Sequence, residues 1–359
     1  RVCPISAGKV KSCIGCKPCS IMRGFGGAGA FSDGKYNFTT KFGGWLNEYL
    51  PDEEVMELID YVDKINMKHG APSQVFSTKN SDIGRLALQH DLHLLSASVR
   101  HLGTENNLRM LEQTYEYLKE KVEFRFECPV AHIESDGQGD NQLELANGEK
   151  VEADFLVIAP GRAGAEWFSN ECNRLGIEQE NNRVDVGVRV EVPDEVWNDI
   201  TSQVYEAKLL YRTKQYGDFV RTFCMNPYGF VVTENNNGLM TVNGHSYAHK
   251  KSENTNFAIL VSKQFTEPFH EPIEYGKYIA TLANMLGGGP IVQRLGDLRD
   301  GRRSTAERIR RGLINPTMPS ATPGDLSLVL PYRFLKDIME MFEALDEACP
   351  GANSRHTLL

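Results

Sequence analysis

Apolar and polar positions recur with a helical period in the first part of the chain and with a period of two in the middle. Residues 52–69 place Val55, Leu58, Ile59, Val62 and Ile65 at helical spacing, with acidic residues in the first turn and Gly70 as a stop, which predicts a helix. Residues 71–90 read as a polar loop, and His93–Leu102 reads as a strand of poor alternation. A helix is predicted over 105–120, with Leu108, Leu111, Tyr115 and Leu118 on one face. Val122-Glu-Phe-Arg-Phe126 alternates as a strand, and Val130-Ala-His-Ile133 continues it after Pro129. The Asn147-Gly148 turn joins Gln142–Leu145 to Lys150–Ala153 as a hairpin. Phe155-Leu-Val-Ile-Ala159 is a continuous apolar run, the pattern of a strand buried on both faces. It leads into Pro160-Gly-Arg-Ala-Gly164 and a helix over 165–175.

From residue 183 the period changes. Val184–Val192 alternates, and segments near 204–211, 217–224, 228–233 and 239–243 also read as strands, with turns at Pro227–Gly229 and Asn235–Gly238. Helices are predicted over 274–286 and 331–347, separated by Gly287–Pro290 and a Pro/Thr/Ser-rich stretch at 315–324. The fold class is therefore α/β, α+β overall. Three sections are expected: residues 1–180, a mostly antiparallel β domain at 181–325 built into the first, and 326–359 as a return towards the first section.

The chain has 359 residues and 41% apolar composition, enough to bury a core. No apolar run reaches the roughly 18 residues of a membrane span, and no signal peptide stands at the start. A net charge of −9 argues against nucleic acid as a partner. Eight cysteines in a chain this long do not form a disulfide framework, which points to a reducing cytoplasm. Four of them, Cys3, Cys13, Cys16 and Cys19, crowd the first nineteen residues. Thiols at this spacing can converge on zinc or on an iron–sulfur cluster, and redox-active or plain structural thiols are the competing readings.

Directly after them comes Gly24-Phe-Gly-Gly-Ala-Gly-Ala-Phe-Ser-Asp-Gly-Lys35, a segment too rich in glycine to hold itself as a helix. It satisfies G-x-G-x-x-G literally, but no hydrophobic strand precedes it. A backbone loop facing a flavin ring is the favoured reading; a Rossmann pyrophosphate turn and a plain connector are the alternatives. His101 and His245 are the polar singletons with possible chemistry, and the arginines at 302–311 read as a solvated helix face, with an anionic-ligand site as the alternative.

Seven strings stand in order: Gly26–Lys35, His101-Leu-Gly-Thr104, Val157–Arg162, Phe223–Gly229, Val242-Asn-Gly-His-Ser246, Leu295-Gly-Asp-Leu298 and Pro319–Gly324. Together they resemble the uncharacterised FAD-dependent dehydrogenases of the glutathione-reductase-like flavoprotein superfamily, also labelled NAD(FAD)-utilising dehydrogenases. The resemblance implies that residues 1–180 are a partial FAD/NAD(P)-binding three-layer domain with a β-meander, and that 181–325 are the substrate side. It implies further that Gly26, Gly27, Ala28, Gly29, Ser32, Asp33, Gly34 and Lys35 line the isoalloxazine. The backbone of Val130 would meet the adenine, and Ala159, Pro160, Gly161 and Arg162 would lie near the diphosphate. NAD(P)H is the implied electron donor.

Members of the family that this chain resembles carry a βαβ unit before its first residue and a flavin-binding glycine segment after its last. The expectation is a fragment that by itself binds FAD poorly. The function expected is an FAD-dependent oxidoreductase passing hydride to or from a small organic substrate. Two other classes compete: a metal- or iron–sulfur-binding protein on a degenerate flavoprotein scaffold, and a flavin-dependent tRNA-modifying protein. Metal analysis would separate the first, and a salt-dependent RNA shift would support the second.

Overall fold

Four valines organise the C-terminal half. Val186, Val188, Val190 and Val192 share one face of the strand Val184–Pro193 and are all buried. A computed structural model describes residues 3–5, 7–11, 13–79, 82–135, 141–180, 182–266, 268–269 and 271–359. In it this strand is the edge of a five-stranded antiparallel sheet, whose other strands are Asn254–Lys263, Phe219–Asn226, Leu209–Arg212 and Leu92–Leu94 in spatial order. Phe257, Ile259, Val261 and Val220 continue the apolar layer. The helix Tyr332–Ala348 lays Phe334, Ile338, Met341, Phe342 and Leu345 onto it, a stripe at three- and four-residue spacing. Each such side chain contributes about 1.5–3 kcal/mol on burial.

In residues 326–359 the apolar stripe of the helix packs on the large sheet, and Leu358 exchanges backbone hydrogen bonds with Glu191 (2.9 and 3.1 Å). The packing also crosses residue 180: Leu92 of the sheet and Ile83 and Ala87 of the helix Ile83–Gln89 belong to the same core. That helix stands where a polar loop was expected. Asn181, the expected domain limit, lies outside the described residues. The mixed α/β, α+β class is as expected.

In the N-terminal half, the expected strand over 93–102 divides between two sheets. Leu92–Leu94 joins the large one, and Ser98–His101 lies between Lys35–Phe38 and Phe76–Ser77 in a small one. Arg100 of this small sheet grips Asp63 of the helix Asp52–Lys68 with two 2.7 Å hydrogen bonds, tying helix to sheet. A three-stranded meander, Val130–Ser135, Asn141–Leu145 and Lys150–Ala153, contains the expected hairpin. Val122–Phe126 is not a strand. Phe124 and Phe126 stack on each other at 5.7 Å, and Phe124 meets Phe25 and Tyr115, so the alternation records an aromatic cluster.

Phe155–Ala159 is the larger departure. It forms no ladder with any described strand, and Phe155 and Val157 are 91% and 89% exposed. An apolar run with no neighbour cannot bury both faces, whatever its pattern. Serine at both positions is expected to cut the fluorescence of the apolar dye ANS on the folded protein severalfold and to move the unfolding free energy by less than about 0.5 kcal/mol. Unchanged dye binding in the double variant would locate the dye elsewhere. Among the described residues no helix is long and apolar enough to cross a membrane.

Candidate functional site

The glycine run is a clamped turn. Gly26 and Gly27 take positive φ of 79° and 56°, where a side chain is disfavoured, and Gly27–Phe31 then coil as a short 3-10 helix. Asn107, fully buried on the helix Thr104–Leu118, donates to the carbonyls of Gly29 (2.7 Å) and Ser32 (3.2 Å). A Cβ on Gly34 would stand 2.9 Å from Asn107, whereas a Cβ on Gly27 or Gly29 would meet nothing within 4 Å. The loop is thus packed on its inner side and open on its outer side.

Antiparallel pairing then sets Lys35 opposite His101. Gly103 N–H donates to Asp33 O (2.9 Å), and the N–H and hydroxyl of Thr104 both reach Ser246 O (3.1 Å each). Three of the sequence strings, Gly26–Lys35, His101–Thr104 and Val242–Ser246, therefore meet. A fourth, Phe223–Gly229, supplies the floor. There the strand Phe219–Asn226 bulges after Phe223, with Cys224 at φ 45°, and presents its backbone to the lysine.

Lys35 is the centre of this arrangement. Its ammonium donates to Asn226 Oδ1 (3.1 Å) and to Met225 O, and lies 3.2 Å from Asp33 Oδ2, 3.4 Å from Glu206 Oε2 and 3.8 Å from Cys224 Sγ. Burial opposes its charge, but Asp33, Cys224 and Glu206 outweigh it and hold the ammonium pKa above the ordinary lysine range. Burial likewise opposes the Glu206 charge, and the ammonium groups of Lys35 and Lys208, the latter 2.7 Å away, bring its carboxyl down to about 2.

Beside this ion cluster stand two neutral imidazoles. His101 Nε2 and the Tyr205 hydroxyl share a hydrogen bond of 2.8 Å, with the rings stacked at 4.1 Å. His245 packs its ring 4.9 Å from Phe31 of the glycine loop, and its buried Nδ1 has no hydrogen-bond partner among the described residues. Burial is the main cause that brings both imidazoles down to about 4, against the pull of Asp33. Burial also pushes the Tyr205 phenol up. Tyr205 takes φ 59°, a strained conformation that the surrounding packing holds in place.

Of the residues expected to touch a cofactor, Asp33, Gly34 and Lys35 are in this cluster, and Gly26, Gly27, Ala28, Gly29 and Ser32 form the turn above it. Val130 lies in the meander, opposite Leu145. Ala159, Pro160, Gly161 and Arg162 lead into the helix Gly161–Leu175, and Arg162 reaches Glu234 at 3.1 Å. Glu234 belongs to the hairpin Phe230–Asn236 and Leu239–His245, whose His245 packs against Phe31 of the glycine run. Both expected cofactor segments thus contact one hairpin. Tyr205, Glu206, Lys208 and Asn107 were not picked out from the sequence, and Asn226 only as part of the string Phe223–Gly229. The available signal was the pair of charges at 206 and 208 inside an apolar run.

The metal expectation finds no support among the described residues. Cys3, Cys13, Cys16 and Cys19 are free, half-buried thiols, and among the described residues no three His, Cys, Asp or Glu side chains gather as a metal would require. The segment closes local turns instead, with Ala7 N–H on Cys3 O and Met22 N–H on Cys19 O, and these do not draw the thiols to one point.

Residues 183–359 match the family described as FAD-dependent protein, C-terminal domain-like. An uncharacterized protein of Clostridium beijerinckii is 26% identical over 350 residues, covering 91% of this chain and 56% of that protein. The chain spans a little over half the length of this curated relative. The family match supports an FAD-dependent family and a flavoprotein.

Proposed function

We propose that the protein is an FAD-dependent oxidoreductase that passes hydride between the flavin and a small organic substrate at the face formed by Gly26–Lys35, His101, Tyr205 and His245. The observation that carries this reading is the seating of the glycine turn, open side outward, on the polar cluster of the half that matches an FAD-dependent family. When bound, the flavin supplies the two-electron chemistry. The chain's own residues do the rest. The bare backbone at Gly27 and Gly29 leaves room for a flat ring, and Lys35 fixes the turn to the substrate-side sheet. Phe31 and His245 wall the site against water. The hydrogen-bonded His101 Nε2 and Tyr205 hydroxyl, and the unpartnered His245 Nδ1, are the atoms that can hold or pass a proton. Val130 and Ala159–Arg162 would hold the nucleotide end, and NAD(P)H would be the second redox partner.

Gly29→Val tests the cofactor face cleanly, because the new side chain would grow into open space. In the protein expressed from its natural gene, FAD affinity from flavin-fluorescence titration is expected to fall by at least about tenfold, roughly 1.4 kcal/mol. The unfolding midpoint should stay where it was. Equal FAD affinity in variant and wild type, or no binding by the wild type, would overturn the assignment.

A further inference from the structure

The large sheet carries a buried charge that the flavin reading does not use. On the strand Val184–Pro193, Asp185, Gly187, Arg189 and Glu191 occupy the face opposite the valines. There a cavity of about 330 Å³ lies between the sheet, the hairpin 230–245 and the helix Pro272–Gly287. Its walls are mostly apolar, Met240, Val242, Leu260, Ile279 and Ala283 among them. The volume falls within the roughly 300–1,000 Å³ typical of small-molecule sites.

Arg189 lines this cavity and is 7% exposed. Its Nε donates to Asn256 Oδ1 (2.8 Å) and its Nη2 to Cys224 O (2.6 Å) and Asn256 Oδ1, all neutral acceptors. Among the described residues its Nη1 donates to nothing, and no carboxylate pairs with the guanidinium. The two acids on the same face are engaged elsewhere. Asp185 binds Arg221 and the Ser262 hydroxyl, and Glu191 accepts from Asn254 and from the N–H and hydroxyl of Thr317. The place of the guanidinium is built in: a Cβ on Gly244 would fall 1.7 Å from Nη2, so only glycine leaves room for it. Glu191 acts on the guanidinium through space without pairing with it, and a buried cation without a paired counter-ion is costly unless an anion joins it.

We propose that this cavity binds an organic carboxylic acid with an apolar body, its carboxylate on Arg189 Nη1 and its chain or ring among Met240, Val242, Ile279 and Ala283. Arg189 also donates to Cys224 O in the floor beneath Lys35, but the proposal does not depend on the flavin assignment. The test is calorimetric titration of the full chain with decanoate and, separately, with decan-1-ol, which has the same body and no charge. Decanoate is expected to bind at least about tenfold tighter than the alcohol, the range of one charge-assisted contact. Arg189→Gln should remove that preference while leaving the alcohol's affinity unchanged, and Ala283→Trp, which fills the cavity, should abolish both. Equal affinities in the wild type, no decanoate binding at all, or undiminished decanoate binding in Ala283→Trp would each overturn the proposal. Should Arg189→Gln unfold, the head-group preference of the wild type together with Ala283→Trp decides it.

Discussion

Replacing Lys35 with methionine is expected to lower the free energy of unfolding at pH 7 by about 3–5 kcal/mol, read from urea denaturation. The ammonium and both of its carboxylate partners are sealed, with side-chain exposures of 7% for Lys35, 7% for Asp33 and 4% for Glu206. Methionine matches the stem but offers nothing to Met225 O or Asn226 Oδ1, and it strands the carboxylates. Glu206 keeps Lys208 at 2.7 Å, so the loss falls mainly on Asp33 and sits near the lower limit. The pH dependence gives a second check. The Glu206 carboxyl is held at about 2, below its value in the unfolded chain, so its contribution is present above about pH 4.3 and is lost as pH falls towards 2. The gap between wild type and variant should therefore narrow in acid. A loss below about 1 kcal/mol at pH 7 would mean that water reaches the cluster and screens it.

The legible part of this protein is the part in which one face of an element is buried and the other is not. The helix at 332–348 and the alternation of Val184–Val192 show in the sequence because one side of each meets a core; the helix at 52–68 shows the same period, although of its apolar stripe Val55 is buried while Leu58, Val62 and Ile65 stay exposed. The strand Asn254–Lys263 does not, because it lies in the middle of the sheet: Phe257, Ala258, Ile259 and Val261 are buried in near succession and the period of two disappears. Phe155–Ala159 shows the reverse, a core-like pattern without a neighbouring strand among the described residues. On Val184–Val192 the polar half of the alternation misleads, since Arg189 and Glu191 are buried beneath the hairpin and do not face solvent. The site follows the same logic. Asp33 and Lys35 could be singled out from a glycine-rich string, but Glu206 acquires meaning only when the Lys35 strand is laid against the large sheet. Cysteine spacing permits a metal centre; it does not bend a backbone to make one.

Between pH 6.5 and 4 the protein is expected to lose about 3 kcal/mol of stability for each of His101 and His245, since each pKa unit is worth about 1.36 kcal/mol. Both imidazoles titrate at about 4 in the folded protein, burial being the main cause, while in the unfolded chain they take up a proton near 6.5. Across that window the unfolded state binds more protons, so stability rises with pH and falls on acidification. The groups facing His245 do not reverse this. Asp33 and Glu234 favour its protonation and Arg189 and Lys35 oppose it, yet desolvation is the largest influence. Asp337 acts in the opposite direction over part of the range, because burial raises its carboxyl to about 6 and its proton is retained in the folded state. The decisive quantity is therefore the difference between wild type and His245→Asn, measured by urea unfolding at intervals from pH 7.5 to 4.5. The variant should be destabilised most at neutral pH, where it loses the packing against Phe31, and should converge on the wild type in acid, where it no longer carries the cost of keeping an imidazole neutral. Parallel curves for the two proteins would show that His245 is hydrated or already charged, and would remove it from the atoms able to pass a proton at the glycine turn.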